Sequence, residues 1–256
     1  MMDMPRATVL VLTPVKTASR YLAGYFAGLE ALTYPHELIS LAVLEGDSSD
    51  DTFAELERRM VIACPRFSSK KLFKKDFGLI FPPGVPRHEH VYQAARRAVL
   101  ARSRNHLLFR ALRDHDWVLW LDVDVVEYPP DILQQLIALD LDIVHPHCVV
   151  EHGGPSFDLN AWCDNGRKHM EDLRGRGRVR LDSVGGTMLL VRADRHRDGL
   201  VFPPFFYGGQ SRWVRSPHPQ RGLHVGEIET EGLGIMAKDM GIECWGLPDL
   251  EIRHAS

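Results

Sequence analysis

Short apolar runs alternate with helical segments through the first 150 residues, and this order limits the possible folds more than any other feature. The helical segments between the runs carry apolar residues three and four positions apart or are rich in Ala, Arg and Leu. Parallel strands need long crossover connections, usually helices, so the order predicts a mostly parallel sheet flanked by helices. The strands are expected at residues 8–12, 38–44, 70–76, 117–126 and 142–146, and the helices begin near residues 19, 52, 89 and 130.

The second half of the chain has a different character. Residues 153–180 are polar and loop-rich, and residues 181–194 read as a strand interrupted by Gly185 and Gly186. A helix is expected over Glu229–Met240, followed by a last strand over Cys244–His254. The predicted fold class is therefore α/β, with a small antiparallel part in the C-terminal half. We expect one domain over residues 1–256, with halves of about 1–150 and 151–256.

Composition narrows the class of partner and the location. The chain has 256 residues, 45% of them hydrophobic, and a net charge of −3, which suits one globular domain and does not favour nucleic acid binding. No stretch approaches the roughly 18 apolar residues that a membrane span requires, and no signal peptide is recognisable. These features predict a cytoplasmic protein. The four cysteines form no CxxC pair, which argues against a structural zinc site.

Two acidic residues follow the most apolar of the expected strands. The run Trp117–Leu121 leads directly into Asp122-Val123-Asp124. Ligands of open α/β sheets bind at the carboxyl ends of the strands, and paired carboxylates suit a hard divalent ion that also binds phosphate. The alternative is a charged strand end without a function.

Other polar residues are expected at the same edge of the sheet. The first strand ends at Thr13 and Pro14, and Asp47 follows the second strand, where it could accept a hydrogen bond from a nucleobase or cap a helix. Arg102 and Asn105 share one face of the long helix, and Arg102 can pair with a phosphate. Three further arginines of this helix are expected to be solvated: Arg96, Arg97 and Arg104.

The C-terminal half supplies further candidates. Glu229 opens the last helix, so it is either a contact for substrate or an ordinary acidic residue at a helix N-terminus. Gly185-Gly186 indicates either a close backbone approach or a bulge. Three loop aromatics could stack on sugar rings or simply pack in their loops: Trp162, Tyr207 and Trp213.

Taken together, six segments resemble the GT-A class of nucleotide-sugar glycosyltransferases, and more closely the fungal mannan-polymerase mannosyltransferases of glycosyltransferase family 62. They occur in order along nearly the whole chain: VLVLTPVKTA, LTYPHELISLAVLEGDSSDDT, ARSRNHLLFRAL, WVLWLDVDVVEYPPDIL, DSVGGTMLLVRADRHRDGLVFPPF and ETEGLGIMAKDMGIECWGLPDLEIRH. The resemblance implies a retaining transferase that uses GDP-mannose and Mn²⁺, or Mg²⁺. Its first half would bind the nucleotide sugar and its second half a glycan or glycolipid acceptor.

The resemblance also implies roles for individual residues. Asp122, Asp124 and His254 would be the metal ligands, and Asp122 and Asp124 would also meet the ribose and diphosphate of the donor. Asp124 would lie at the reacting sugar. Glu229 is expected there from its own place at the start of the last helix, as a contact for the acceptor or the transition state. Guanosine would contact Thr13, Pro14 and Asp47, and the donor would be held by Arg102 and Asn105.

Two other functions remain open from the sequence. A nucleotidyltransferase also uses acidic residues and a divalent ion, but it would carry a Gly-rich basic loop after the first strand, and TPVKTAS has no glycine. A non-catalytic binding module on the same fold is the other possibility. Fungal members of the family carry an N-terminal membrane anchor, so neither their location nor their mannan acceptor is expected to carry over.

Overall fold

A computed structural model describes residues 6–78, 90–211 and 226–256, and its elements follow the predicted order closely. Within these residues the α-helices are α1 (Leu22–Glu30), α2 (Thr52–Ile62), α3 (His90–Ala111), α4 (Ile132–Ile137), α5 (Ala193–Arg197) and α6 (Glu229–Asp239). The strands are β1 (Val9–Val15), β2 (Ile39–Glu45), β3 (Ser69–Lys74), β4 (Trp117–Leu121), β5 (Val125–Glu127), β6 (Ile143–Val149), β7 (Trp162–Cys163), β8 (Lys168–His169), β9 (Val179–Leu181), β10 (Met188–Arg192) and β11 (Cys244–His254).

One large sheet organises the described chain. Its strand order is β3-β2-β1-β4-β10-β6-β11-β5, and β9 pairs with β11 at the side of this path. The neighbours from β3 to β4 are parallel, as are β6 and β11. Strand β10 runs antiparallel to both of its neighbours, and β5 and β9 run antiparallel to β11. The predicted α/β fold, mostly parallel with an antiparallel part in the C-terminal half, is confirmed.

Helices cover both faces of the sheet because its central strands are apolar on both sides. On one face, residues such as Leu22 and Leu29 of α1 pack with Leu133 of α4. On the other face, Leu107 and Leu108 of α3 pack with Leu233 and other residues of α6. Strands β1, β2 and β4 therefore read as continuous apolar runs rather than as alternating ones.

The strand predicted over residues 181–194 is shorter than expected. Regular pairing begins only at Met188, so Gly185 and Gly186 precede β10 instead of interrupting it. A Cβ on Gly185 would lie 2.0 Å from a carboxylate oxygen of Asp158, and one on Gly186 would lie 2.5 Å from the Arg104 guanidinium. The close backbone approach that these glycines indicate is therefore present, and two charged side chains make it.

The parallel register places three strand ends at one edge of the sheet. Val15 at the end of β1 pairs with Glu45 at the end of β2, and β4 runs alongside β1 in the same direction. The residues that follow β1, β2 and β4 consequently meet at this edge. No helix among the described residues is both long enough and apolar enough to cross a bilayer.

Candidate functional site

The two aspartates after β4 contact different partners at this edge. The backbone N–H of Asp122 donates to the Thr187 carbonyl at 2.9 Å, and Asp122 Oδ1 lies 3.1 Å from Nη2 of Arg104. Asp124 Oδ1 lies 3.1 Å from Nε2 of His254, the last residue of β11. The N–H of Ala255 donates to the Asp124 carbonyl at 2.9 Å, which ties the end of β11 to this loop.

Arg104 joins the loop after β4 to the start of α6. Its Nε donates to Oε1 of Glu229 at 2.9 Å. Its Nη2 donates to Oδ1 of Asp122 and, at 3.3 Å, to the Gly186 carbonyl. The side chain is buried. The prediction that Arg104 is solvated is therefore wrong. A buried guanidinium with two carboxylate partners is instead the centre of a charge network.

Arg102, which was predicted to hold the donor, points away from this network. Successive helix residues are rotated by about 100°, so Arg102 lies about 200° around α3 from Arg104. Its side chain is exposed, and its Nε makes a 3.3 Å contact with the Ala98 carbonyl of its own helix. The arginine that faces the aspartates is thus Arg104.

Glu229 is buried in an unusual backbone conformation. Its φ angle of 60° lies in the left-handed region, which a residue with a Cβ adopts at a cost of about 1–3 kcal/mol. Besides Arg104, it accepts a hydrogen bond from Oγ1 of Thr230 at 3.1 Å, and its N–H donates to the Pro203 carbonyl at 2.9 Å. Glu229 therefore begins α6 and also completes the ion pair with Arg104.

Buried negative charge shifts the protonation of these groups. Burial raises the pKa of Asp122, Arg104 opposes the rise, and Asp124 and Glu229 reinforce it, so that the pKa reaches about 7. Burial lowers the pKa of His254, but its hydrogen bond to Asp124 and the charge of that carboxylate outweigh this, and the pKa rises. The described site holds more carboxylates than cationic groups, which favours an additional cation.

The predicted metal ligands are only partly assembled. The structure pairs Asp124 with His254, whereas Asp122 is turned toward Arg104. Across residues 6–78, 90–211 and 226–256, no group of three or more His, Cys, Asp or Glu side chains is arranged to hold a metal ion. The described residues thus offer one carboxylate and one imidazole side by side, and both groups are common ligands of divalent metal ions.

The three residues predicted to meet guanosine lie at or near the same edge. Oγ1 of Thr13 is 2.6 Å from the hydroxyl of Tyr25, and both side chains are buried. The hydroxyl of Thr13 therefore makes an internal hydrogen bond. Pro14 follows it and is partly exposed. Asp47 has a left-handed φ of 58°, and its two carboxylate oxygens each accept a hydrogen bond at 3.0 Å, from the N–H groups of Phe77 and Gly78.

The helix-cap alternative for Asp47 is wrong. Asp47 orders the segment after β3, while Asp50 accepts the Thr52 N–H at 3.1 Å at the start of α2. Asn105 also has a different role from the one predicted. Its amide nitrogen donates to the Phe202 carbonyl at 2.7 Å, and its amide oxygen accepts the Phe202 N–H at 2.9 Å. Both of its polar atoms are occupied by backbone, so its side chain joins α3 to the segment at Phe202.

A cleft of about 400 Å³ opens beside Asp124. The loop after β1 forms one wall, with the basic residues Lys16 and Arg20, and Asp50 and Val123 also line it. A basic loop facing an acidic one across a cleft provides contacts for an anionic ligand and for a cation bound to it.

Sequence reasoning missed several buried charges, although the sequence contained a signal for two of them. Arg97, Ala101, Arg104 and Leu108 recur at spacings of four, three and four, which places both arginines on the buried stripe of α3. Arg97 pairs with Glu231 and lies 3.7 Å from Glu227. Asp158 had no such signal, because it lies in an irregular loop and its partners are backbone groups distant in sequence.

Two of the three loop aromatics lie among the described residues, and each hydrogen-bonds to a carboxylate. Trp162 is buried, and its indole N–H donates to Glu231 at 2.6 Å, so it does not present a ring to solvent. The hydroxyl of Tyr207 donates to Asp239 at 3.1 Å. Trp213 lies outside the described residues.

Comparison with known sequences identifies the relatives of the chain. The Anp1 family model matches residues 3–175 and 166–206. The mannan polymerase II complex anp1 subunit of Schizosaccharomyces pombe is 31% identical over 98% of this chain and 64% of that protein. The mannan polymerase complex subunit mnn9 of the same yeast is 32% identical, over 96% of this chain and 79% of the relative. The corresponding ANP1 subunit of Saccharomyces cerevisiae is covered over 54% of its length.

Comparison with solved structures identifies the fold. The mannosyltransferase PcManGT from Pyrobaculum calidifontis, solved in complex with GDP-Man and Mn²⁺, superposes with a TM-score of 0.59 at 15% identity, over 98% of this chain and 57% of that one. TarS from S. aureus in complex with UDP gives a TM-score of 0.56 at 13% identity, over 97% and 60% of the two chains. The fold is that of the GT-A glycosyltransferases.

Proposed function

Because the chain belongs to the Anp1 family, we propose that it is a metal-dependent retaining glycosyltransferase that transfers mannose from GDP-mannose to a glycan or glycolipid acceptor. The single observation that carries the proposal is the meeting of Asp122, Asp124 and His254 with the Arg104–Glu229 ion pair at the carboxyl edge of the sheet. Family membership and the GT-A fold favour transfer of a sugar over the nucleotidyl transfer that the sequence left open.

Asp124 and His254 would hold the Mn²⁺ ion, and the phosphate oxygens of the donor would complete its coordination. When bound, the ion supplies positive charge against the diphosphate that leaves as the glycosidic bond breaks. Lys16 and Arg20 line the adjoining cleft and place additional positive charge near a bound diphosphate. Asp122, next to Asp124 in the same loop, would accept hydrogen bonds from the ribose of the donor.

Arg104 positions Glu229, which would face the transferred sugar, and Asp122, which would meet the ribose of the donor. It fixes Asp122 and Glu229 through separate nitrogens, so the two carboxylates keep a set distance from one another. As the donor bond breaks, the sugar acquires oxocarbenium character, and the negative charge of Asp124 and Glu229 would stabilise it. At the other end of the donor, Pro14, the backbone at Thr13 and the carboxylate of Asp47 would contact the base.

The acceptor is proposed only as a class. The relatives are named as subunits of mannan polymerase complexes, and the chain spans 64% and 54% of the first two of them. A saccharide acceptor is common to those names and to the glycosyltransferase fold, so a glycan or glycolipid is the acceptor class that we propose here.

The test is release of the nucleoside diphosphate from a set of nucleotide sugars. The protein is incubated with methyl α-mannoside, whose hydroxyl groups can accept the transferred sugar, and with GDP-mannose, GDP-fucose, UDP-glucose or UDP-N-acetylglucosamine, in Mn²⁺ or in EDTA. We expect GDP release from GDP-mannose that requires the metal and falls by about 100-fold or more in Asp124→Asn, the size of loss found when one stabilising group is removed from an active site. Preference for a UDP-sugar, or release that ignores both EDTA and the substitution, would refute this proposal.

A further inference from the structure

Residues 156–159 reverse the usual distribution of polar and apolar side chains. Ser156 and Asp158 are only 9% and 8% exposed, whereas Phe157 and Leu159, which alternate with them, are 43% and 52% exposed. Burying the apolar residues instead would stabilise the chain. The reversed pattern leaves two apolar side chains on the surface that a ligand can cover.

The buried polar residues hold this segment in place. Oγ of Ser156 lies 2.9 Å from Nε2 of His147. Oδ2 of Asp158 accepts the Gly186 N–H at 2.8 Å and the N–H and hydroxyl of Thr187 at 3.2 and 3.1 Å. The N–H of Phe157 itself donates to the Cys148 carbonyl at 2.8 Å. The side chains of Phe157 and Leu159 are thus fixed outward by their neighbours.

The exposed ring lies against the candidate metal pair. Phe157 and His254 are stacked, with ring centroids 3.7 Å apart and an angle of 17° between their planes. His254 covers one face of the phenyl ring, and its Nε2 is 3.1 Å from Asp124. Phe157 as a whole is still 43% exposed, so part of this residue remains accessible beside the Asp124–His254 contact.

We propose that Phe157 and Leu159 form the platform of a saccharide-binding subsite, on which a pyranose ring of the acceptor lies with its apolar C–H face against the phenyl ring. This inference rests on the proposed function, which needs an acceptor next to the donor sugar. A stable protein interface buries about 800 Å² on each partner, far more than two half-exposed side chains offer. A single sugar ring needs only a small contact surface, and a rigid aromatic beside polar groups suits an amphipathic ring.

The experiment measures saturation-transfer NMR binding of three small probes: the methyl glycosides of α-mannose, α-glucose and β-galactose. The protein is saturated with GDP and Mg²⁺, because Mg²⁺, unlike Mn²⁺, causes no paramagnetic broadening. Wild type is compared with Phe157→Ala, Phe157→Tyr and Leu159→Ala. Phe109→Ala is the matched control, because Phe109 is also a largely exposed phenylalanine and lies on α3 beyond Arg104.

We expect at least one pyranoside to bind wild type. Its dissociation constant should rise about tenfold in Phe157→Ala, which corresponds to the free energy of burying about half of one apolar side chain against the ligand. Leu159→Ala should weaken binding less, while Phe157→Tyr and Phe109→Ala should bind like wild type. Affinity for GDP with Mn²⁺ should stay within about twofold in every variant.

Failure of the subsite and failure of the proposed function have different signatures. If GDP binds with metal but no pyranoside binds, or if Phe157→Ala binds pyranosides as well as wild type, the subsite is refuted and the transferase proposal stands. If Phe157→Ala loses affinity for GDP and Mn²⁺ to the same extent as for pyranosides, Phe157 only positions His254, and the subsite is again refuted. If GDP does not bind wild type at all, the proposed function fails whatever the pyranosides do.

Discussion

At the scale of single residues, Arg104 is the residue of the candidate site that is hardest to replace. It is the cationic partner of both Asp122 and Glu229. Burial alone would lower the pKa of the guanidinium, but the two carboxylates outweigh this and raise the pKa, so Arg104 stays charged. A lysine would keep the charge but could not donate in two fixed directions from one plane. The position therefore requires arginine for geometry as well as for charge.

We predict that Arg104→Ala lowers the free energy of unfolding by about 3–5 kcal/mol, because removing one partner leaves buried carboxylates without compensation. Arg104→Lys should lose less stability but should still weaken binding of GDP with Mn²⁺. Urea unfolding and calorimetric titration measure the two effects. Arg102→Ala, on the exposed side of the same helix, should change stability by less than about 0.5 kcal/mol. Equal effects of the two alanine substitutions would contradict the assignment of Arg104.

Gly185 is a second residue whose identity is set by its neighbours. We predict that Gly185→Ala destabilises the protein by about 1–3 kcal/mol, because the new methyl group would overlap the Asp158 carboxylate, which itself is held by three hydrogen bonds. Gly24→Ala is the matched control. No atom lies within 4 Å of a Cβ there, and its place within α1 should make alanine stabilising by up to about 1 kcal/mol. Thermal unfolding of both variants shows whether the destabilisation comes from the contact with Asp158 or would follow from replacing any glycine by alanine.

At the scale of elements, α3 connects the two halves of the site. Arg104 reaches the loop after β4 and the start of α6, and one residue later Asn105 binds both backbone groups of Phe202. The position of α6, and with it Glu229, thus depends on contacts that α3 makes with segments far away in sequence.

We predict that Asn105→Ala lowers the free energy of unfolding by about 1–3 kcal/mol, since the N–H and carbonyl of Phe202 lose their partners. Affinity for GDP with Mn²⁺ should remain near that of wild type, because neither amide atom of Asn105 is available to a ligand. Chemical unfolding and nucleotide titration on the same sample measure both quantities. A loss of nucleotide affinity with unchanged stability would instead support the contact with the donor that the sequence analysis predicts for Asn105.

Elements with strong local patterns could be predicted from sequence, and short ones defined by pairing could not. The predicted last strand has the bounds of β11, and the long helix differs from α3 by one residue at each end. Strands β5 and β9 have three residues each and exist through pairing with β11. The prediction for Arg104 is wrong because its place on the apolar stripe of α3 outweighs the general tendency of charged helix residues to be solvated.

At the scale of the whole molecule, the predicted α/β class follows from local patterns, whereas the strand order does not. Nothing near β10 in the sequence indicates that this late strand inserts between β4 and β6. That insertion brings Gly186 and Thr187 beside Asp122, so the site combines residues from both halves of the chain. The contact between Asp124 and His254 was expected only from the family resemblance, because the two residues are separated by about half of the sequence.

Stability of the whole molecule should fall in acid partly through His196. This buried ring lies 3.2 Å from the indole nitrogen of Trp120 and 2.7 Å from the Leu200 carbonyl. Burial lowers its pKa to about 4, below the ordinary value of about 6.5, although the contact with Leu200 opposes this. The unfolded chain therefore binds a proton first, and the contribution of the neutral ring, up to about 3 kcal/mol, is present above pH 6.5 and is lost as the pH falls through 4.

We predict that His196→Gln, which can keep a donor and an acceptor at these positions, is less stable than wild type at pH 7.5 but loses less stability on acidification. Urea unfolding at several values between pH 4 and 7.5 gives the difference between the two proteins. A difference that does not change with pH would show that His196 does not titrate in this range.

The central claim is that Asp124 and His254 bind a metal ion that holds a guanosine diphosphate. The most direct measurement is calorimetric titration of GDP into wild type and Asp124→Ala, with Mn²⁺ and with EDTA, and with UDP and ADP as competing nucleotides. We predict that GDP binds wild type only with the metal, binds more tightly than UDP or ADP, and does not bind the variant measurably. Binding that persists in EDTA or in Asp124→Ala, or a preference for UDP or ADP, would contradict the account.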